Sequence, residues 1–273
     1  MSEINEKSQL LRAEIIKQLY YKHPLSLTEL SKLTQKSLPL VTRLVNVLIE
    51  EGYIQEQGLA PSTGGRRASQ YLLNAEKNEY TISVAMDQFV TRIVINDLSG
   101  KAVLPILTFE LSIIANDGVE KLVSSIEKYI ESSGITKEKL LGLGIGMPGF
   151  VNAESGINHS YLKPNDGSNL RDFLSMRLEL PVYIDNDSSL IALAELRFGA
   201  AQGLQDVMVV NIGWGTGLGM IVNGKLYRGS SGYAGEFSHI PLSNTQNLCS
   251  CGKTGCLEVE TSLLIMTQKA KHE

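Results

Sequence analysis

All three cysteines of this 273-residue chain fall between Cys249 and Cys256. An odd number of thiols in so short a stretch makes a poor disulfide framework and points instead to a metal. His239 lies a few residues upstream. Three thiolates and one imidazole are the ligand types that close a tetrahedral zinc site. Cys249-Ser250-Cys251 is tighter than the usual finger knuckle, but Gly252 and Gly255 allow the backbone to fold the sulfurs inward. A site on His239, Cys249, Cys251 and Cys256 would have no open position, so its zinc is expected to be structural rather than catalytic. Three buried thiols beside an unrelated histidine remain the alternative reading.

The rest of the chain must bury enough surface to support such a site. Hydrophobic residues make up 43% and charged residues 20%, which excludes disorder as the default. No run of about 18 apolar residues occurs, so a membrane span is not expected. The opening MSEINEKSQL is polar and of mixed charge, without the basic start and apolar stretch of a secretory signal. The expectation is a cytoplasmic protein of about two domains, with no membrane partner. Net charge is −4, unevenly spread. Residues 1–75 carry nine Lys and Arg against seven Asp and Glu, a surplus of +2, which leaves −6 on the remainder. A slightly basic head on an acidic body fits a small nucleic-acid reader joined to a second domain.

The head, residues 8–50, reads as three short helices. Leu11, Ile15, Ile16 and Leu19 recur at helical spacing. After His23-Pro24, Ser26-Leu27-Thr28-Glu29 has the form of a capping box. Ser37 is placed to cap a third helix with Pro39 in its first turn. There Val41, Leu44, Val45, Leu48 and Ile49 form an apolar stripe opposite Leu40, Thr42, Arg43 and Asn46, and Gly52 ends it. Two short helices with a tight link suit a helix-turn-helix. Arg43 and Asn46 are residue types that read guanine and adenine edges, with Thr42 beside them, and Lys32 and Lys36 suit phosphates. Tyr53-Ile54 and Tyr71-Leu72-Leu73 read as strands of a β-wing whose tip, Ser62 to Arg67, sets Arg66 and Arg67 after paired glycines. Such a basic tip suits a minor groove. A helical module for protein contact with a solvated hairpin is the bland alternative.

From Tyr80 the periodicity changes. Residues 82–85, 92–96, 141–146, 182–184 and 207–212 read as strands, and 119–132 and 187–198 as helices, with a glycine-rich turn after residue 212. Strands alternating with helices indicate an α/β class.

Here the residues reach a family. Gly213-Trp214-Gly215-Thr216-Gly217-Leu218-Gly219, Asn223-Gly224-Lys225-Leu226-Tyr227-Arg228-Gly229, Ala234 to His239 and the run Cys249 to Glu258 follow one another as in the ROK family of repressors, open reading frames and sugar kinases. Gly144 to Gly149 and Asp185-Asn186-Asp187 match upstream. The resemblance covers about residues 8–260, and the head is similar to the winged helix of the family's repressors for N-acetylglucosamine and xylose. It implies an α/β architecture: an N-terminal winged helix-turn-helix (residues 1–75), then a two-lobed, actin-like sugar-binding domain (residues 76–273). It also implies that Asn165, Asn186, Asp187, Glu236, His239 and Glu258 bind sugar hydroxyls. Each has a plainer reading. Asn165 can hold a Pro-Asn-Asp-Gly turn, Asn186 and Asp187 can cap a helix, and Glu236 and Glu258 can be surface charges.

Departures from the family pattern separate kinase from repressor. The kinases carry Asp-x-Gly-x-Thr on the first strand of the fold, where this chain has Ala85-Met86-Asp87-Gln88-Phe89. A carboxylate at Asp87 repels phosphates and its bulk blocks close backbone approach. Trp214 stands at the Thr of the second phosphate turn, although Gly215-Thr216-Gly217 restores a Gly-Thr-Gly in a shifted register. Ser238 replaces a glycine before the zinc histidine. Family members continue past the cysteine motif, whereas residue 273 falls in a helix starting near Thr261, so the domain is read as lacking its C-terminal part. The expected function is a sugar-responsive, DNA-binding regulator, a homodimer or homotetramer that represses sugar uptake or catabolism genes. Its partners are a double-stranded operator and a sugar or sugar phosphate effector. It is not expected to be an enzyme. The rival is an ATP-dependent sugar kinase with an added head, in which Asp187 is the general base.

Overall fold

The computed structural model describes residues 3–59 and 67–271. The chain forms two compact units, one from residues 1–81 with 96–103 and the other from residues 82–95 with 104–273.

The first unit opens with α1 (Glu3–Tyr21), a single 19-residue helix where the sequence suggested a shorter one. Leu11, Ile15 and Leu19 bury one stripe of it. After β1 (Leu25–Ser26), the capping box forms as its residues dictate. The Ser26 hydroxyl accepts from the Glu29 amide, and the Glu29 carboxylate accepts from the Ser26 amide at 2.7 Å, starting α2 (Leu27–Thr34). Gln35 adopts the left-handed conformation and ends α2, leaving a three-residue link to α3 (Leu38–Glu50). Pro39 sits in the first turn of α3, while Ser37 makes no side-chain cap bond. Val41, Leu44, Val45 and Leu48 are buried against α1 and α2. Strands β2 (Ile54–Leu59) and β3 (Ser69–Leu73) pair antiparallel, and β1 joins the free side of β3. Leu98, in a turn within residues 96–103, is buried in the same cluster. The tip that carries Arg66 lies outside the described residues.

The second part of the chain begins with β4 (Tyr80–Met86), β5 (Val90–Asp97) and β6 (Leu107–Glu110). Helix α4 (Gly118–Ser133), β7 (Leu140–Met147), the small hairpin β8 (Val151–Asn152) and β9 (Ile157–Asn158), α5 (Leu170–Leu178) and β10 (Val182–Asn186) follow. They build a five-stranded sheet in the order β10-β7-β4-β5-β6. The alternation along β4, with Ile82, Val84 and Met86 buried and the residues between them exposed, gives this sheet one covered face. Strands β10 and β7 are parallel, with Asp185 beside Gly146 and Asn186 beside Met147. Asp185, Asn186 and Asp187 therefore emerge at the carboxyl end of a parallel strand, where open α/β sheets place their ligands.

Helix α6 (Asp187–Phe198) leads into an antiparallel sheet of β11 (Val207–Ile212), β12 (Thr216–Val222) and β13 (Lys225–Leu226). Val207 and Val209 pack with Ala192 and Leu196 of α6, while Met208, Val210 and Ile212 on the opposite face of β11 are exposed. The glycine-rich run expected to be a turn is mostly strand. Only residues 213–215 turn, and Thr216 already pairs with Ile212. The glycines serve packing. A Cβ on Gly217 would lie 2.0 Å from the Ser188 hydroxyl, and one on Gly219 would lie 2.4 Å from the Ala192 methyl. Glycine thus lets α6 press directly onto β12. The terminal helix of the sequence reading is two, α7 (Leu257–Thr261) and α8 (Leu263–Ala270), broken at Ser262.

Candidate functional site

A cavity of about 1050 Å³ opens within the second unit, lined by the ends of β4, β7 and β10, the start of α6 and the turn after β11. Asn186, Asp187, Glu236, His239 and Glu258 all line it. Asn165 does not. It lies on an exposed turn closed by the Gly167 amide on the Pro164 carbonyl, so its local role is the turn.

The carboxylates of this wall feel one another. Burial raises the proton affinity of Asp187, and the charge of Asp87 adds to it. Burial, with Asp187 and Glu258 nearby, pushes Glu236 up to about 7. Glu258 is raised by burial and by Asp187. Two of the side chains also do structural work. Asn186 caps α6 by accepting from the Ser189 amide at 3.1 Å and donates to the Gly149 carbonyl at 3.2 Å. Asp187 accepts from the Ser188 amide at 2.7 Å.

His239 joins this wall to the cysteines. Its Nδ1 lies 3.4 Å from the Cys249 sulfur, and its Nε2 faces Glu236 at 3.9 Å. Cys251 and Cys256 have their sulfurs 3.7 Å apart. All four candidate ligand atoms fall within 4.8 Å of one another. A tetrahedron with Zn–S of about 2.3 Å has S···S edges of about 3.8 Å, so the residues fit the ion. Their chemistry agrees. Burial holds His239 toward its neutral form and pushes the Cys256 thiol up to about 11. Binding the ion would take the protons from the thiols and use the neutral imidazole. With Nδ1 toward the metal, Nε2 remains free to address the cavity.

Two turns that depart from the kinase pattern, β4–β5 and β11–β12, also line the cavity. Asp87 Oδ1 accepts from the amides of Phe89 and Val90, at 2.8 and 2.7 Å, and so closes the β4–β5 turn on itself. Trp214 sits at the tip of the β11–β12 turn and meets Phe89 edge to face, with ring centroids 5.2 Å apart. The aromatic partnership was not visible in the sequence, because its members are far apart along the chain. The same is true of Arg228, which grips Asp185 with both guanidinium nitrogens, and of Phe150, which stacks on His239 at 5.5 Å. Asp185 offered a signal in its place beside Asn186 and Asp187, but nothing local pointed to Arg228.

In the first unit, Arg43 and Asn46 are exposed on α3, opposite its buried stripe. Thr42 is half-buried and donates its hydroxyl to the Leu38 carbonyl. Lys32, Lys36 and Arg67 are exposed.

The chain belongs to the ROK family, whose profile matches residues 108–272. It is 32% identical to the xylose repressor of Caldicellulosiruptor bescii, an alignment that covers 96% of this chain and 66% of that protein. The chain thus spans just under two thirds of that relative's length. Its fold superposes on the crystal structure of a ROK family transcriptional regulator, a homologue of the Escherichia coli MLC protein, with a TM-score of 0.75 at 25% identity. That match covers 97% of this chain and 67% of the regulator. A ROK family glucokinase from Streptomyces griseus, solved with glucose and AMPPNP, aligns over 71% of this chain and 60% of its own, with a TM-score of 0.59 and 30% identity.

Proposed function

We propose that this protein is a sugar-responsive, DNA-binding transcriptional regulator, a repressor of sugar uptake or catabolism genes. The observation that carries the reading is that likeness to a repressor and to a transcriptional regulator runs through the head as well as the body. Likeness to a glucokinase covers only 71% of the chain. In this reading the three helices and small sheet of the first unit are a winged helix-turn-helix. Arg43 and Asn46 contact base edges, with Thr42 alongside, while Lys32, Lys36, Arg66 and Arg67 meet phosphates or the minor groove. The second unit is the two-lobed sugar domain. Asp187, Glu236, Glu258 and the Nε2 of His239 bind hydroxyls, with Asn186 placing the start of α6 between them. Zinc on His239, Cys249, Cys251 and Cys256 holds that wall in shape. The protein works as a homodimer or homotetramer in the cytoplasm. Sugar closes the lobes and changes the spacing of the DNA heads, weakening their grip on paired half-sites.

Asp187 on the cavity wall favours the kinase alternative, since it matches that family's general base. Phosphoryl transfer, however, depends on holding the donor's phosphates. Ala85, Asp87 and Trp214 stand where that cradle belongs, and we read the protein as silent toward ATP.

The test is operator release. A duplex selected from a randomised pool is bound in a gel shift, then titrated with a panel of sugars. The expected response is a loss of affinity of about 5- to 150-fold, a coupling of roughly 1–3 kcal/mol. Glu236→Ala should bind the duplex as the parent does and lose the response. A variant that responds like the parent would mean that the sugar site lies elsewhere. Sugar-dependent ADP release that disappears in Asp187→Asn would promote the kinase reading.

A further inference from the structure

We infer that the effector is an uncharged sugar and that Asp87 is the specificity-determining residue that turns away its phosphate ester. The inference rests on the reading of the cavity as the sugar site and narrows it to one class of ligand.

A phosphate needs cations or unspent amide hydrogens, which helix N-termini and tight turns commonly provide. This cavity has spent its own. At the start of α6, the Ser188 amide donates to Asp187 at 2.7 Å and the Ser189 amide to Asn186 at 3.1 Å. At the β4–β5 turn, the amides of Phe89 and Val90 both donate to Asp87. At the β11–β12 turn, the Gly213 amide donates to the Gly215 carbonyl at 2.8 Å. Side chains and backbone of the chain itself therefore occupy these five amides.

Charge points the same way. Asp87, Asp185, Asp187, Glu236 and Glu258 line the cavity. Among the described lining residues the only guanidinium is Arg92, and its nearest carboxylate oxygen, on Asp87, is 3.6 Å away. Arg228 is committed to Asp185. Burial, with the charge of Asp87 added to it, already raises the proton affinity of Asp187, so one more negative charge would enter an unfavourable field. A neutral sugar meets the opposite situation, because its hydroxyls donate to carboxylate oxygens.

Titration calorimetry on the full chain tests this with matched pairs: glucose and glucose 6-phosphate, N-acetylglucosamine and its 6-phosphate, and xylose and xylose 5-phosphate. We expect at least one free sugar to bind and its ester to bind about tenfold more weakly or worse, a difference of about 1.4 kcal/mol. Asp87→Asn keeps an acceptor oxygen for the Phe89 and Val90 amides and removes the charge, so the ratio of ester to free-sugar Kd should fall by about threefold or more. An unchanged ratio would remove Asp87 from the argument. An ester that binds the parent as tightly as its free sugar overturns the inference and leaves the sugar site standing. A panel in which neither member of any pair binds sinks the sugar site itself.

Discussion

The head and the β11–β13 sheet hold together by different means. The head has a broad apolar cluster to which every helix contributes, including Leu11, Ile15, Leu19, Leu30, Val45 and Leu48, several of them fully buried. Each such side chain is worth about 1.5–3 kcal/mol of burial. Beneath the β11–β13 sheet the corresponding buried cluster is Ala192, Leu196 and Ile221, edged by half-buried Val207, Val209 and Leu226. This second region gains its order from contacts of another kind. Helix α6 is pressed onto the strand backbone at Gly217 and Gly219, and the loops after β13 converge on a cluster of one histidine and three cysteines that could hold a metal. A region with few buried side chains can still be well defined if its geometry is set by close approach and by ligation, but it then depends on single atoms.

That contrast predicts which substitutions each region tolerates. The largest effect should come from the metal ligands. Cys251→Ser, or a strong chelator, is expected to remove the zinc and collapse the cavity wall, since structural zinc contributes on the order of 10 kcal/mol to folding in small sites. Calorimetry should then show the head's transition unchanged while that of the second unit shifts or disappears. Purified protein that contains no zinc and melts as before would refute the metal's role.

A smaller loss is expected from Gly219→Ala, whose new methyl would sit 2.5 Å from the Ser188 carbonyl oxygen as well as against Ala192. Overpacking of this kind costs about 1–3 kcal/mol. Gly213→Ala is its control, because a Cβ there meets nothing nearer than 4.0 Å. Equal denaturation midpoints for the two variants would show that α6 yields easily and that the close approach is not a constraint.

The smallest effect belongs to the head. Ser26→Ala removes the cap of α2 and should cost about 1 kcal/mol in the head's transition alone. The same box sets a pH dependence. Hydrogen bonds from the Ser26 amide and hydroxyl hold the Glu29 carboxyl below its ordinary value of 4.5. The folded state therefore binds this proton less readily than the unfolded state. The increment is fully present above about pH 4.5 and is lost as pH falls through the lowered value of the folded state. Acid titration of the parent and of Ser26→Ala should show their stabilities converging at low pH.

What could be read from the sequence follows the same division. Segments governed by local rules were legible. The capping box at Ser26, the buried stripe of α3, the bounds of α6 and β11 and the clustering of His239 with the three cysteines all depend on neighbours in the chain. Positions governed by remote partners were not. Gly217 and Gly219 looked like turn glycines because glycine does not announce whether it supplies a left-handed angle or makes room for a neighbour, and Ser188 and Ala192 lie far upstream. Asn165 carried a familiar neighbourhood but sits on a turn away from the cavity. Phe89 with Trp214, and Arg228 with Asp185, are pairs whose members carry no local sign of each other.

The contact between α6 and β12 has a consequence for how such proteins diverge. Gly217 and Gly219 are held by sterics that have nothing to do with a nucleotide, so a lineage that gave up phosphoryl transfer would still be obliged to inherit both. Their persistence in a descendant carries no information about whether it still uses ATP. The informative positions are the tips of the two turns, here Asp87 and Trp214, where a change of side chain leaves the contact between α6 and β12 in place. Sorting relatives by those two positions, rather than by the glycines between them, would separate enzymes from sensors within a shared architecture.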